Sequence, residues 1–279
     1  MKNEIILLSV IVWVFLGGCG SKEPSEKKAA AVVNDRVLIF NEAGFQVTVP
    51  ASWKKEMYRV NQLSESDREK VLPEAAEIIN IEYLPVGYAG VQPNLVSIIV
   101  VADEYREEIL NDENQSSVAV MGRNSDFIYL LTLPQTNPFP DTGEDFVRYN
   151  QLARGLGTII SSFEILYGAV PPTVEEIVGR AFAAQLPAAD GPGRIITLRC
   201  SDSENASLTT EFIGKGEPFK EAGSWNLEAH ILSYQPLNRD SVPMGARMKW
   251  TVKGEFLIPL EWDKTLYGST GLPLRRLKS

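Results

Sequence analysis

Apolar and polar residues first alternate at Phe45, Val47 and Val49, with Gln46 and Thr48 between them. A period of two is that of a half-buried strand, here led in by residues 37–40 and stopped by the turn residues Pro50-Ala51-Ser52-Trp53. Further strands are predicted at 79–84, 95–102, 117–121 and 127–133, with short helices at 64–76 and 104–110. The strongest helical period comes later. Phe146, Tyr149, Ala153, Leu156 and Ile160 recur at spacings of three and four, Thr142 stands where a cap would, and Glu144 and Asp145 suit the positive end of a helix dipole. Such a stripe must cover a sheet. Several antiparallel strands, a long helix and a closing strand near 163–167 predict an α+β domain, an antiparallel sheet packed with helices, over residues 37–167.

Pro171-Pro172 then breaks the pattern, and Thr173 is placed to cap a short helix over 174–186 in a linker spanning 168–187. After the Gly191-Pro192-Gly193 turn, strands are predicted at 194–200, 206–212, 223–227, 229–234, 247–253 and 255–259. Short strands with Gly, Pro and Asn turns at this density predict a second, small antiparallel β-barrel over 188–279.

The chain begins differently. Lys2 precedes an apolar run over 5–15 broken only by Ser9, followed by Leu16-Gly17-Gly18-Cys19. A charged head, an apolar middle and a small-residue exit are the layout of a secretory signal peptide, residues 1–18. The run is shorter than the roughly 20 apolar residues a spanning helix needs. Leu16-Gly17-Gly18-Cys19 resembles the lipobox of bacterial lipoproteins, which implies cleavage before Cys19 and a covalent diacylglycerol and acyl lipid on that residue. Two chains suffice for stable anchoring. Gly20 in place of an aspartate implies the outer membrane in a cell that has one, with the chain facing away from the cytoplasm. Residues 19–36 are then the lipidated cysteine and a polar, proline-containing flexible tether.

Two further resemblances are carried by strand and turn motifs. Gly44-Phe45-Gln46-Val47-Thr48-Val49-Pro50-Ala51-Ser52-Trp53 resembles the opening of PsbP-like domains. Residues 127–134, with the following helix and Ile159-Ile160-Ser161-Ser162-Phe163, are similar to the close of that domain. Ile196-Thr197-Leu198, residues 208–212, Gly223-Ser224-Trp225 and residues 267–274 resemble the lipocalin-like small barrels of envelope lipoproteins, including META-type domains and the N-terminal domain of the copper-stress lipoprotein NlpE. These resemblances imply folds and no catalytic set. The paired cysteines of the copper-stress protein are absent, so copper handling is not implied.

The formal charge of −9 is unevenly spread: residues 37–167 carry 9 Lys and Arg against 19 Asp and Glu, and residues 182–279 carry 12 against 11. A net of −10 on the first domain repels polyphosphate, so no nucleic-acid partner is expected. Besides Cys19 the chain holds one cysteine, Cys200, whose alternation with Ile196 and Leu198 predicts burial. The single histidine, His230, is predicted to lie in a strand, and one histidine is too few for a typical metal cluster or a histidine-dependent triad. The carboxylate pairs Asp103-Glu104, Glu107-Glu108, Asp112-Glu113 and Glu144-Asp145 fall at helix ends or loops, where solvated charge is expected.

Trp225, Trp250 and Trp262 remain as candidate ligand-lining aromatics of the barrel, with core filling as their other role. The expectation is therefore a non-enzymatic envelope lipoprotein, a binding or interaction module held on a membrane by its lipid, with no metal and no catalytic residue. Its partners would be envelope proteins or a small apolar or sugar ligand. The alternatives are a small-ligand carrier or envelope-stress sensor using the barrel, and a hydrolase of envelope polymers.

Overall fold

The computed structural model describes residues 31–34, 36–87, 92–111, 118–134, 136–188, 191–264 and 271–278. In chain order the first part contains β1 (Ala31–Asn34), β2 (Val37–Phe40), β3 (Phe45–Thr48), β4 (Tyr58–Gln62), α1 (Glu65–Val71), β5 (Ala75–Tyr83), β6 (Asn94–Ala102), α2 (Arg106–Asn111), β7 (Val118–Arg123), β8 (Phe127–Thr132), α3 (Glu144–Ala153), α4 (Leu156–Ser162) and β9 (Glu164–Ile165). All pairings are antiparallel, in a four-stranded sheet of order β1-β2-β3-β9 and a five-stranded sheet of order β4-β5-β6-β8-β7. β1 falls within the stretch expected to act as a tether.

The five-stranded sheet is buried on both faces, which is why 78–81 and 95–101 read as near-continuous apolar runs instead of alternating. One face, with Ile79, Ile81, Ile98, Val100, Tyr129 and Leu131, packs with Phe45, Val47, Tyr149, Leu152 and Ile159 from the other sheet and the helices. The opposite face, with Ile78, Ile99, Val101, Ile128 and Leu130, is covered by Leu72, Tyr105 and Ile109.

The long helix predicted over 142–160 is two helices. It breaks at Gly155, where an added Cβ would lie 2.5 Å from the Trp53 indole nitrogen and 2.9 Å from Pro50. The indole N–H donates to the Leu152 carbonyl (3.0 Å), so the Pro-x-x-Trp turn packs into the break. The α3 N-cap is Gly143 with no side-chain cap, not Thr142.

The second part contains α5 (Val174–Ile177), β10 (Ala181–Ala188), β11 (Gly191–Cys200), β12 (Asn205–Phe212), β13 (Lys215–Glu228), β14 (Ile231–Pro236), β15 (Met248–Lys253), β16 (Phe256–Glu261) and β17 (Leu274–Arg276). The eight strands form a closed antiparallel barrel, completed by β17 against β10 with Phe182 opposite Arg276. Thr173 and Glu176 make a reciprocal capping box on α5, as the sequence suggested at Thr173, but the helix stops at Ile177. Gly179, at φ +75°, turns the chain out, and the rest of the predicted helix is strand β10, where Phe182 and Leu186 face the barrel core. The barrel thus opens at Ala181. His230 also departs from expectation: it lies with Ala229 (φ +52°) in the turn between β13 and β14, not in a strand.

The β15–β16 turn is pressed into the sheet region. Glu255 N–H donates to the Val120 carbonyl on edge strand β7 (2.7 Å). The Lys253 ammonium donates to the Ser161 and Phe163 carbonyls at the end of α4, both at 2.6 Å. Arg275 donates to the Val118 carbonyl (3.2 Å). Phe256 and Ile258 complete the seam by joining the hydrophobic core of the sheets.

Candidate functional site

Cys19, the predicted lipidation site, lies outside the described residues, as do the signal peptide and most of the tether. Trp225, Trp250 and Trp262, the second place where the sequence pointed to function, lie among the described residues of the barrel.

Register fixes which side chains point inward. Leu198 faces Leu208, Trp225 faces Tyr234, Leu232 faces Trp250, Val252 faces Leu257, and Leu257 faces Leu274. Because side chains alternate along each strand, Phe182, Ile196, Cys200, Ala206 and Met248 join the same interior. Trp250 is 1% exposed and Trp225 5%, and both belong to the barrel core, with Trp262 partly buried against it. The Trp225 indole donates to the Asp202 carbonyl (2.7 Å) and the Tyr234 hydroxyl to the Glu221 carbonyl (3.0 Å), while the Trp250 indole N–H has no acceptor among the described residues. Val174, Ile177 and Val178 of the α5 segment pack against this core. An eight-stranded interior is wide enough either to be filled by side chains or to hold one small ligand, and here these aromatics are buried in its core.

Cys200 is fully buried, as its alternation predicted, and burial pushes its thiol up to about 12. His230 contributes its carbonyl, which accepts from Val252 N–H (2.7 Å). Among the described residues no three His, Cys, Asp or Glu side chains are grouped to hold a metal ion.

Of the carboxylate pairs, Glu144-Asp145 breaks the expectation of solvated charge. Glu144 remains exposed and pairs with Arg148 (2.6 Å), but Asp145 is only 5% exposed. It accepts hydrogen bonds from the Tyr83 hydroxyl (2.7 Å), Val86 N–H (2.8 Å) and Gly87 N–H (2.9 Å). Burial by itself would raise its carboxyl, but these bonds and Arg148 outweigh it and hold the group below the usual aspartate value. Tyr149 packs edge-on to Tyr83 and is pushed up to about 12 by burial. Every polar partner of Asp145 is local scaffold, so its role is to pin the segment after β5 onto α3. No signal in the sequence separated it from its exposed neighbour.

Besides Asp145 and Glu82, which is paired with Arg59, another buried carboxylate sits at the seam. Glu255 is 8% exposed, with one carboxylate oxygen unpaired among the described residues. Burial pushes it up against the opposing influence of Lys278, Arg276 and Arg275.

Two surface grooves lie among the described residues. One, of about 460 Å³, lies between the Trp53 turn and α3 and is lined by Ser52, Lys54, Glu56, Arg148, Gln151 and Arg154 over Met57 and Leu152. The other, of about 220 Å³, is lined by Ser224, Trp225, Asn226, Ser233, Gln235 and Arg247. Among the described residues no helix is long and apolar enough to cross a membrane.

Compared with known proteins, the chain matches no protein-family model, no curated protein and no solved structure.

Proposed function

We propose that this chain is an envelope lipoprotein, anchored through a diacylglycerol on Cys19, that works as a non-enzymatic interaction module through its outer surface. In this reading the sheet region is PsbP-like and the barrel lipocalin-like, but the barrel is a solid display body and not a ligand vessel. The observation that supports the reading is the burial of large side chains inside the barrel: Trp250, Trp225, Tyr234 and Leu232 all belong to its core. The buried carboxylates of the sheet region are engaged by their own scaffold and not presented to a substrate, Asp145 by Tyr83 and two backbone amides and Glu82 by Arg59 and Asn61.

The test joins anchoring to ligand response. Cells producing the chain are fed labelled palmitate and fractionated, and the purified protein is titrated with fatty acids, sugars and divalent metals while tryptophan emission is followed. Label on the membrane-bound chain, its loss with release of the Cys19→Ser variant, and a flat titration are the expected results. Saturable quenching by a small ligand would make the barrel a carrier. An unlabelled chain would remove the anchor.

A further inference from the structure

One carboxylate stands in the contact between the barrel and the sheet region. Glu255 follows the tip of the β15–β16 turn, and its backbone is tied on two sides. Its N–H donates to the Val120 carbonyl on β7 (2.7 Å), and its carbonyl accepts from the Arg276 N–H of β17 (2.7 Å). β7 is an edge strand of the five-stranded sheet, so the turn covers backbone groups that an edge leaves open for pairing. Phe256 and Ile258, packed into the core of the sheets, exclude water beside it.

The Glu255 side chain lacks comparable support. The residue is 8% exposed, and its buried Oε2 has no hydrogen-bond partner among the described residues. A carboxylate taken out of water without a full set of donors is far costlier than the neutral acid. Burial accordingly pushes Glu255 up, and Lys278, Arg276, Arg275 and the Val120 backbone offset only part of that effect.

The surrounding charges explain why the offset is partial. Arg275 donates to the Val118 carbonyl of β7 (3.2 Å). Arg276 stands between opposing influences, with Arg180 repelling it and Glu255 and Glu176 attracting it. Glu176 is itself held by Arg106 (2.9 Å) and Arg123 (3.5 Å) of the sheet region and by Thr173 N–H (2.9 Å). On the other side of the turn, Lys253 donates to the Ser161 and Phe163 carbonyls and is attracted by Glu164. Lys278, past the end of β17, is exposed, so solvent screens its charge.

We propose that the junction of the β15–β16 turn with β7 is a pH-sensitive latch, closed while Glu255 carries a proton and loosened when that proton passes to solvent. An ionised Glu255 needs water at Oε2, and water reaches it when the turn draws back from β7. That retreat parts the bond between Glu255 and Val120 and uncovers the β7 edge.

The sign follows from the direction in which burial moves the group. Its value in the closed state lies above the ordinary glutamate value near 4.3, so the protonated form favours closure below that pH. The preference is lost as pH rises through the raised value. The latch therefore loosens toward neutral pH, opposite in sense to the response of Asp145, whose carboxyl is held low.

Hydrogen exchange of the purified full chain tests this, read by mass spectrometry on segments 118–123 and 253–258 between about pH 4.5 and 8 and corrected for the intrinsic rate. Protection of both segments is expected to fall by up to about tenfold per pH unit, while that of β11 in the barrel holds. Glu255→Gln keeps the shape and cannot ionise, and should make the protection of both segments independent of pH. Arg276→Gln removes an attracting cation and should carry the fall to higher pH. His230→Gln removes the chain's one histidine, in the β13–β14 turn at the same end of the barrel, and should leave the fall in place.

Protection independent of pH in the parent would overturn the proposal, as would an equal fall in Glu255→Gln or its abolition by His230→Gln. Loss of protection in β11 together with the two segments would overturn it in favour of global unfolding. If Glu255→Gln does not match the parent by near-ultraviolet circular dichroism, Arg276→Gln decides, and a fall at unchanged or lower pH there would overturn the latch.

Discussion

Replacing Gly254 with alanine tests whether the barrel and the sheet region form one close-packed body. Gly254 sits at the tip of the β15–β16 turn at φ +56°, a left-handed conformation that costs a residue with a Cβ about 1–2 kcal/mol. Its neighbours add more. A Cβ there would stand 2.1 Å from the Val120 carbonyl oxygen, 2.6 Å from the Val120 carbonyl carbon and 2.7 Å from the Met121 carbonyl carbon, where contact between non-bonded atoms requires roughly 3.5–4.0 Å. All three are backbone atoms, so no side chain can rotate aside and the turn must back away from β7.

That retreat breaks the Glu255 N–H bond to Val120, and leaving buried polar groups unpaired costs about 1–3 kcal/mol. Gly254→Ala should therefore lower stability by roughly 2–5 kcal/mol. Gly214 is the control. It has φ +75° and nothing within 4 Å of an added Cβ, so Gly214→Ala should cost only the conformational term of roughly 1–2 kcal/mol. Urea unfolding followed by both tryptophan emission and far-ultraviolet circular dichroism supplies the measurement, and separation of the two transitions in Gly254→Ala would mark an opened seam. Equal losses in the two variants would refute the close-packed seam.

Three further outcomes follow from the buried groups. Asp145→Asn should cost roughly 2–4 kcal/mol at neutral pH, because it removes a buried charge that holds three hydrogen bonds. The Asp145 carboxyl is held below its ordinary value, so its contribution is present above the unfolded value near 3.9 and is lost as pH falls through the folded value. The gap between parent and variant in urea unfolding should accordingly narrow below about pH 4, and a gap constant from neutral to acid pH would contradict this assignment. Cys200, with its thiol raised by burial, should resist a thiol-reactive dye at pH 8 until denaturant is added, and immediate labelling of the folded chain would place it at the surface.

Local order was readable from the sequence wherever one periodicity or one cap decided it. The alternation of Phe45, Val47 and Val49 became β3 and its continuation, that of Ile196, Leu198 and Cys200 became the inner row of β11, and Thr173 became a capping box. Those signals depend on residues a few positions apart and on one buried face. The class, an antiparallel sheet with helices and a small antiparallel barrel, followed from their order along the chain.

What the tertiary structure decided involved partners far apart in sequence. The break at Gly155 depends on Trp53, about a hundred positions earlier, entering the helix groove. β10 is a strand because β11 and β17 close the barrel on either side of it, which overrode a helical reading of 181–186. Asp145 is buried and its neighbour Glu144 exposed because the Tyr83 hydroxyl and two amides of the segment after β5 converge on one carboxylate only. A sequence specifies periodicity locally, but which faces meet is settled by the packing of whole elements, and the seam at Gly254 and the filled barrel were set at that level.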